Sequence, residues 1–221
     1  MRDIPIFSTE LGVASLTLSQ IPYSGKAYIR IQDTAQPESF IDECAGFCRA
    51  AGADSIYITG HSICEKYKEY TSVIEMQCLK STLGQTDAAL FPATDETLSG
   101  WRQIYNDKIV KVPNGTWLTI SDAQMYLKDR GLYFVHRGGK LLGTGIVYGN
   151  ELQWVCAVVP GGGADVVRAL CGCVTDDTVK LTVASSNEKA ADLYRKLGFI
   201  PITVWSIHAY RRFHNGINFF G

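Results

Sequence analysis

Several short stretches of the chain alternate apolar and polar residues with a period of two, and each closes on a turn signal. "IFSTELGVASLTLSQIPYSGKAYIRIQD" (6–33) reads as a short strand, a turn, a strand through Gly12, a second turn and a strongly apolar strand. "YFVHRGGKLLGTGIVYGNELQWVCAVVPG" (133–161) runs through the same succession, with Gly143 where the first has Gly12. The period then lengthens to that of a helix in "SFIDECAGFCRAAGADSIYITG" and in "ADVVRALCGCVTDDTVKLTVAS", each an amphipathic helix, a polar turn and a β-branched strand. A last strand follows each copy, "TSVIEMQCL" early and "ITVWSIHAY" late. The order of periodicities, more than residue identity, makes the chain an imperfect repeat of itself. It predicts two parts, 1–82 and 83–221, joined near "STLGQTDAALFP".

From residue 88 the pattern predicts strand, helix, helix, three strands, helix, strand, helix, strand. The extra helix pair is "FPATDETLSGWRQIYNDKI" and "TISDAQMYLKD", with Thr94 and Ser121 as N-cap candidates and "VPNG" as the break. The strand "LQWVCAVV" is apolar nearly throughout, as a strand covered on both faces would be. It runs into "PGGGADVVRAL". Pro160 cannot donate to a sheet, Gly161, Gly162 and Gly163 leave the backbone bare, and a helix starts near Ala164. Free amides at such a start can hold a phosphate, although an empty tight turn would have the same sequence.

The segment "SSNEKAADLYRKLGF" carries its own start and stop. Ser185 with Glu188 fits a capping box, and Gly198 fits a left-handed end. Packing on a sheet accounts for Ala190, Leu193 and Leu197; the plainest reading makes Asn187 an N-cap and Tyr194 a half-buried aromatic.

Taken together, these stretches resemble the GCN5-related N-acetyltransferases. The resemblance rests on a V-x-P strand end (Val158, Pro160) with glycines 161–163, then on Asn187, Ala190, Ala191, Tyr194, Lys196, Gly198 and Phe199. It implies an α/β (α+β) fold with a mixed, mostly antiparallel sheet flanked by helices, in an imperfect tandem repeat. It also implies that acetyl-CoA is the co-substrate and that an acetyl group passes to a primary amine of a small molecule or peptide. The implied coenzyme contacts are Val158, Val159, Gly161, Gly162, Gly163, Ala164, Asp165, Asn187, Ala190, Ala191 and Tyr194. Tyr194 is the implied catalytic residue, set to protonate the departing thiolate. Main-chain amides around Val158 and Val159 would hold the thioester carbonyl.

The sequence departs from the family's pattern in two places. No Arg or Gln precedes the glycine turn, and Asp165 places a carboxylate where a pyrophosphate would seek the same amides. No general base is evident, with Glu151 and His136 the nearest candidates; the resemblance implies an acceptor pocket built from "WRQIYNDKIVKVPNGTW" and "HAYRRFHNGINFF", where Asp107 could meet a cationic acceptor. The early half has "DTAQPES" for the glycine turn and "GHSICEKYKEY" for the last helix. It keeps Tyr67 and Tyr70 but no Asn or Ala stripe, which predicts a degenerate copy without its own coenzyme site. A non-catalytic acyl-CoA-binding or interaction module remains open beside the enzyme.

Composition narrows the partners. In 221 residues, 46% are hydrophobic and the net charge is −1, so no basic field points to nucleic acid or to an anionic membrane. No apolar run approaches the roughly 18 residues of a membrane span, and the first residues do not read as a signal peptide. Seven cysteines without a C-x-x-C pair read as reduced thiols in a cytoplasmic core. Cys44 and Cys48 lie one helical turn apart, but nothing nearby completes a zinc set, so no metal is expected. A homodimer is compatible with all of this.

Overall fold

The computed structural model describes residues 2–60, 69–110, 112 and 115–205, and the backbone of 206–212. The chain forms two compact units, Met1–Ser72 with Ser206–Gly221, and Val73–Trp205.

In the first unit β1 (Ile4–Thr9), β2 (Gly12–Thr17) and β3 (Lys26–Thr34) pair antiparallel in that order, with the single-turn helix α1 (Ile21–Ser24) before β3. Helix α2 (Pro37–Ala50) then crosses over to β4 (Ser55–Gly60), which pairs parallel to β3. Pro37 opens α2, where its missing N–H costs nothing. Phe40, Ile41, Cys44, Ala45 and Cys48 form its buried stripe at helical spacing, packed with Leu16, Ile29, Ile56 and Ile58 of the sheet.

In the second unit β6 (Ala89–Pro92), β7 (Gly131–Arg137), β8 (Lys140–Tyr148) and β9 (Glu151–Ala157) pair antiparallel in order. Helices α3 (Leu98–Ile109) and α4 (Ile120–Asp129) lie between β6 and β7 in sequence, and α5 (Gly163–Cys171) leads from β9 to β10 (Thr178–Ala184). Helix α6 (Glu188–Lys196) and β11 (Ile200–Arg212) complete the order expected from the hydrophobic pattern. Trp101, Tyr105, Leu118, Leu132 and Ile146 form a core under α3 and α4; Val166, Leu170, Ala191 and Phe199 belong to a second one under α5 and α6.

The two predicted final strands are exchanged. The early one, β5 (Glu69–Leu79), lies antiparallel beside β10, paired from Val73↔Ala184 to Leu79↔Thr178. The late one, β11, sends His208, Arg211 and Arg212 into pairing with β4. Both units then show the same sequence of pairings along the sheet: antiparallel, antiparallel, parallel, antiparallel. Gly12 and Gly143 do the same job in each. A Cβ on Gly12 would strike the Asp33 carbonyl and Phe40 of α2, and one on Gly143 would strike the Cys156 carbonyl and Val166 of α5.

Helix starts differ from expectation by a few residues. Thr97 precedes α3 without a side-chain cap bond, and its hydroxyl instead accepts from Thr94 N at 2.8 Å. Thr119, not Ser121, caps α4 in a reciprocal box with Asp122. Of the two candidates at α6, Asn187 rather than Ser185 is the N-cap, its side chain accepting from Ala190 N at 3.4 Å. At α4 and α6 the residue whose backbone leaves the helical conformation takes the cap. Among the described residues no helix is long and apolar enough to cross a membrane. No group of three His, Cys, Asp or Glu there could hold a metal, and the described cysteines are free thiols.

Candidate functional site

Strands β9 and β10 share only two residue pairs, Lys180↔Glu151 and Leu181↔Leu152, and then part. The parting is tolerated because β10 stays hydrogen-bonded to β5 along its other edge as far as Ala184. In the first unit the corresponding strands β3 and β4 do not part; they pair from Lys26↔Ser55 to Ile31↔Gly60.

The gap opens into a cleft of about 450 Å³, whose lining among the described residues belongs to the second unit. One wall is β9 from Leu152 to Cys156, and another is Thr182, Val183, Ala184, Asn187 and Tyr194. The third comes from α3 and the segment after it, with Tyr105, Lys108, Ile109, Gly115 and Thr116. Tyr126 of α4 also lines it. An unpaired strand edge offers a row of main-chain donors and acceptors, which an extended amide chain can satisfy as an added strand would.

Of the residues expected at a coenzyme site, the structure brings Asn187 and Tyr194 into this cleft. Asn187 uses its carbonyl oxygen to cap α6. Tyr194 is 7% exposed, leans on Phe199 at 5.8 Å, and its hydroxyl has no hydrogen-bond partner among the described residues. Burial, helped by the nearby Cys171 and Cys156 thiols, pushes its hydroxyl up to about 12. Ala191 is buried in the core and Ala190 packs against it; neither lines the cleft.

The glycine turn stands at the far end of β9. Val158 N donates to Leu142 O at 2.8 Å, so that amide belongs to the sheet. The Val159 N–H makes no hydrogen bond among the described residues. Gly161 has φ 79°, which favours glycine. A Cβ on Gly163 would meet the end of the Leu193 side chain of α6 at 2.8 Å, which would have to shift. Val166 N, bonded to Gly162 O, is the first ladder donor of α5, which leaves the amides of Gly163, Ala164 and Asp165 without intrahelical partners.

Asp165 does not stand alone against those amides. Its carboxylate accepts from Arg137 at 2.7 Å and from Thr86 at 3.2 Å, with Arg168 at 3.8 Å. Arg137 lies at the end of β7 and reaches the turn from a different part of the sequence, a relationship that only the β7–β8 hairpin creates.

The candidate bases lie elsewhere. His136 sits between the rings of Phe91 and Phe134, and Glu151 accepts from Gln153 at 3.2 Å; neither lines the cleft. Asp107 faces a separate hollow of about 160 Å³ with Ser99, Arg102 and Trp117. It is therefore not placed to meet an acceptor in the cleft; one step along α3 turns a side chain by about 100°, and Lys108 takes the inner side. Lys108, Trp154, Gln153 and Thr116 were not singled out in the sequence, although Lys108 follows the buried Tyr105 by the three residues that put two side chains on one helix face. Burial pushes the Cys156 thiol up, and the Lys108 ammonium partly offsets this. Tyr67, Cys64 and the side chains of "HAYRRFHNGINFF" lie outside the described residues.

No protein-family model matches the chain, and no curated protein matches it in sequence. Solved structures do. A conserved protein of unknown function from Staphylococcus epidermidis superposes with TM-score 0.63 at 10% identity, over 93% of this chain and 92% of that one. A GCN5-related N-acetyltransferase from Sphaerobacter thermophilus gives 0.58 at 13%, over 93% and 78%. A tandem GNAT protein from the clavulanic acid biosynthesis pathway gives 0.53 at 13%, over 91% and 78%. Identities this low speak to architecture alone: the chain has the fold of the GCN5-related N-acetyltransferases, a mixed sheet dominated by antiparallel pairs and flanked by helices.

Proposed function

We propose that the chain is an N-acyltransferase that moves the acetyl group of acetyl-CoA to a primary amine of a small molecule or peptide. The observation that carries this reading is the parting of β9 and β10 after Leu152 and Leu181, with Asn187 and Tyr194 at the cleft it opens. The residues present fit the coenzyme in three respects. The free β9 edge suits the amides of the pantetheine arm. The unpartnered amides of Gly163, Ala164 and Asp165, beside Gly161 and Gly162, suit its pyrophosphate, with Asp165 held by Arg137 and Arg168. The Val159 amide, beside the glycine turn, is the donor available to the end of the arm nearest the pyrophosphate.

In the reaction the amine nitrogen attacks the thioester carbon, the C–S bond breaks and the sulfur leaves as thiolate. The amine's surplus proton goes to water, because no carboxylate or histidine lines the cleft among the described residues. Tyr194 donates a hydrogen bond to the leaving sulfur. With its hydroxyl near 12 and a thiol near 8.5, complete transfer of its proton would be uphill by roughly 5 kcal/mol. The hydrogen bond itself, more than the transfer, is the contribution, and holding both reactants in one cleft supplies the rest.

The first part, 1–82, carries no coenzyme site in this account, because its β3–β4 pairing stays closed. The lack of a base in the cleft favours one second reading, a module that binds acyl-CoA without turnover. Calorimetric titration with acetyl-CoA, followed by free-thiol release over a panel of amines, separates the two. Binding with thiol release supports the transferase; binding without release for any amine supports the module, and no binding removes both.

A further inference from the structure

The cleft's charge inventory says more about the acceptor. Among the described residues that line it, Lys108 is the only one with a formal charge. It has no ion-pair partner within reach among those residues, and it stands where its ammonium acts on the Cys156 thiol near the C-terminal end of β9. Around it the lining is aromatic and aliphatic: Tyr105, Tyr126 and Trp154, with Ile109 and Val112. The Tyr105 hydroxyl is already committed, donating to Thr116 O at 3.0 Å. The guanidinium of Arg130 is likewise engaged, bonded to Gln153 and stacked on Tyr126 at 4.0 Å. Asp107, the carboxylate nearest in sequence, opens onto the other hollow.

A cation without a counter-ion in an aromatic cleft repels a second cation and attracts an anion. We propose that the acceptor is an amine whose own molecule carries an anionic group, held by Lys108, with an apolar or aromatic body against Tyr105, Tyr126 and Trp154. This rests on the transferase reading and names the substrate class of that same site. An ammonium reads carboxylate and phosphate alike, as a point charge. The anchored anion would fix one end of the acceptor and leave its amine free to turn toward the thioester.

The test uses matched amines that differ in the anion alone: phenylalanine against phenethylamine, tryptophan against tryptamine, and phosphoethanolamine against ethanolamine, with the full chain and saturating acetyl-CoA. The expected result is a kcat/KM for at least one anion-bearing member about tenfold or more above its partner without the anion, the worth of one charge-assisted contact. Lys108→Met should collapse that ratio toward one through KM, and Lys108→Arg should restore part of it. Whether the carboxylated or the phosphorylated pair shows the effect identifies the anion. Members without the anion used as well as those bearing it, or a ratio that survives Lys108→Met, would overturn the proposal while leaving the transferase intact. Failure of acetyl-CoA to bind at all would instead overturn the reading beneath it.

Discussion

The side-chain amide of Asn106 grips the backbone of Leu118 in both directions, donating to its carbonyl and accepting from its N–H, each at 3.0 Å. Asn106 is 3% exposed, so nothing in solvent can replace it. The pair ties α3 to the segment entering α4, and with the Tyr105 to Thr116 bond it fixes the wall that carries Gly115 and Thr116. Asn106→Leu leaves the Leu118 N–H buried and unpaired. We expect a loss of about 2–3 kcal/mol, read as a lowered midpoint in urea unfolding, together with a raised KM for the acceptor.

The strand glycines facing α5 give a second prediction that needs no ligand. A Cβ on Gly145 would drive into Leu170, whereas one on Gly138, at φ 57°, would meet open space. Gly145→Ala should destabilise by about 1–3 kcal/mol through overpacking. Gly138→Ala should cost only the backbone strain of a left-handed alanine, about 1 kcal/mol. Thermal unfolding of the two variants side by side checks the order.

Tyr194 supplies a pH prediction with a definite sign. Its folded value lies near 12, above its usual 10, so the unfolded chain releases this proton first as the solution turns alkaline. The stabilisation is complete below about pH 10 and falls away between about 10 and 12. Tyr28, also raised to about 12 by burial, acts in the same window. Tyr194→Phe should flatten part of that slope in unfolding measured from pH 8 to 12. The same variant should lower kcat by about tenfold or more while leaving acetyl-CoA affinity within a factor of about two.

Arg137 and Asp165 predict an interaction between two substitutions. Arg137→Ala strips a partner from the carboxylate at the start of α5 and should weaken acetyl-CoA binding several-fold, more at low salt than at high. Asp165→Asn in the same chain should recover most of the loss. A calorimetric double-mutant cycle measures this coupling.

The element order from residue 88 onward was legible because each element carries its own period: Leu98 to Ile109 reads as a helix and Lys140 to Tyr148 as a strand without reference to anything else. The glycine turn and the Asn187–Tyr194 helix were legible for the same local reason. What could not be read depends on pairing. Nothing in "TSVIEMQCL" says that it lies beside β10, since any apolar strand edge would satisfy it equally. Arg137 meets Asp165 only because a hairpin folds; a carboxylate suits an amine, which points to Asp107, whereas helix phase turns its neighbour Lys108 inward.

The parted strands are the centre of the account, and a structure of the chain with acetyl-CoA tests them most directly. The account predicts the pantetheine arm along β9 between Gln153 and Ala157, the pyrophosphate at the start of α5, and the sulfur within hydrogen-bonding reach of the Tyr194 hydroxyl. A coenzyme bound elsewhere, with β9 and β10 closed over the cleft, would contradict it.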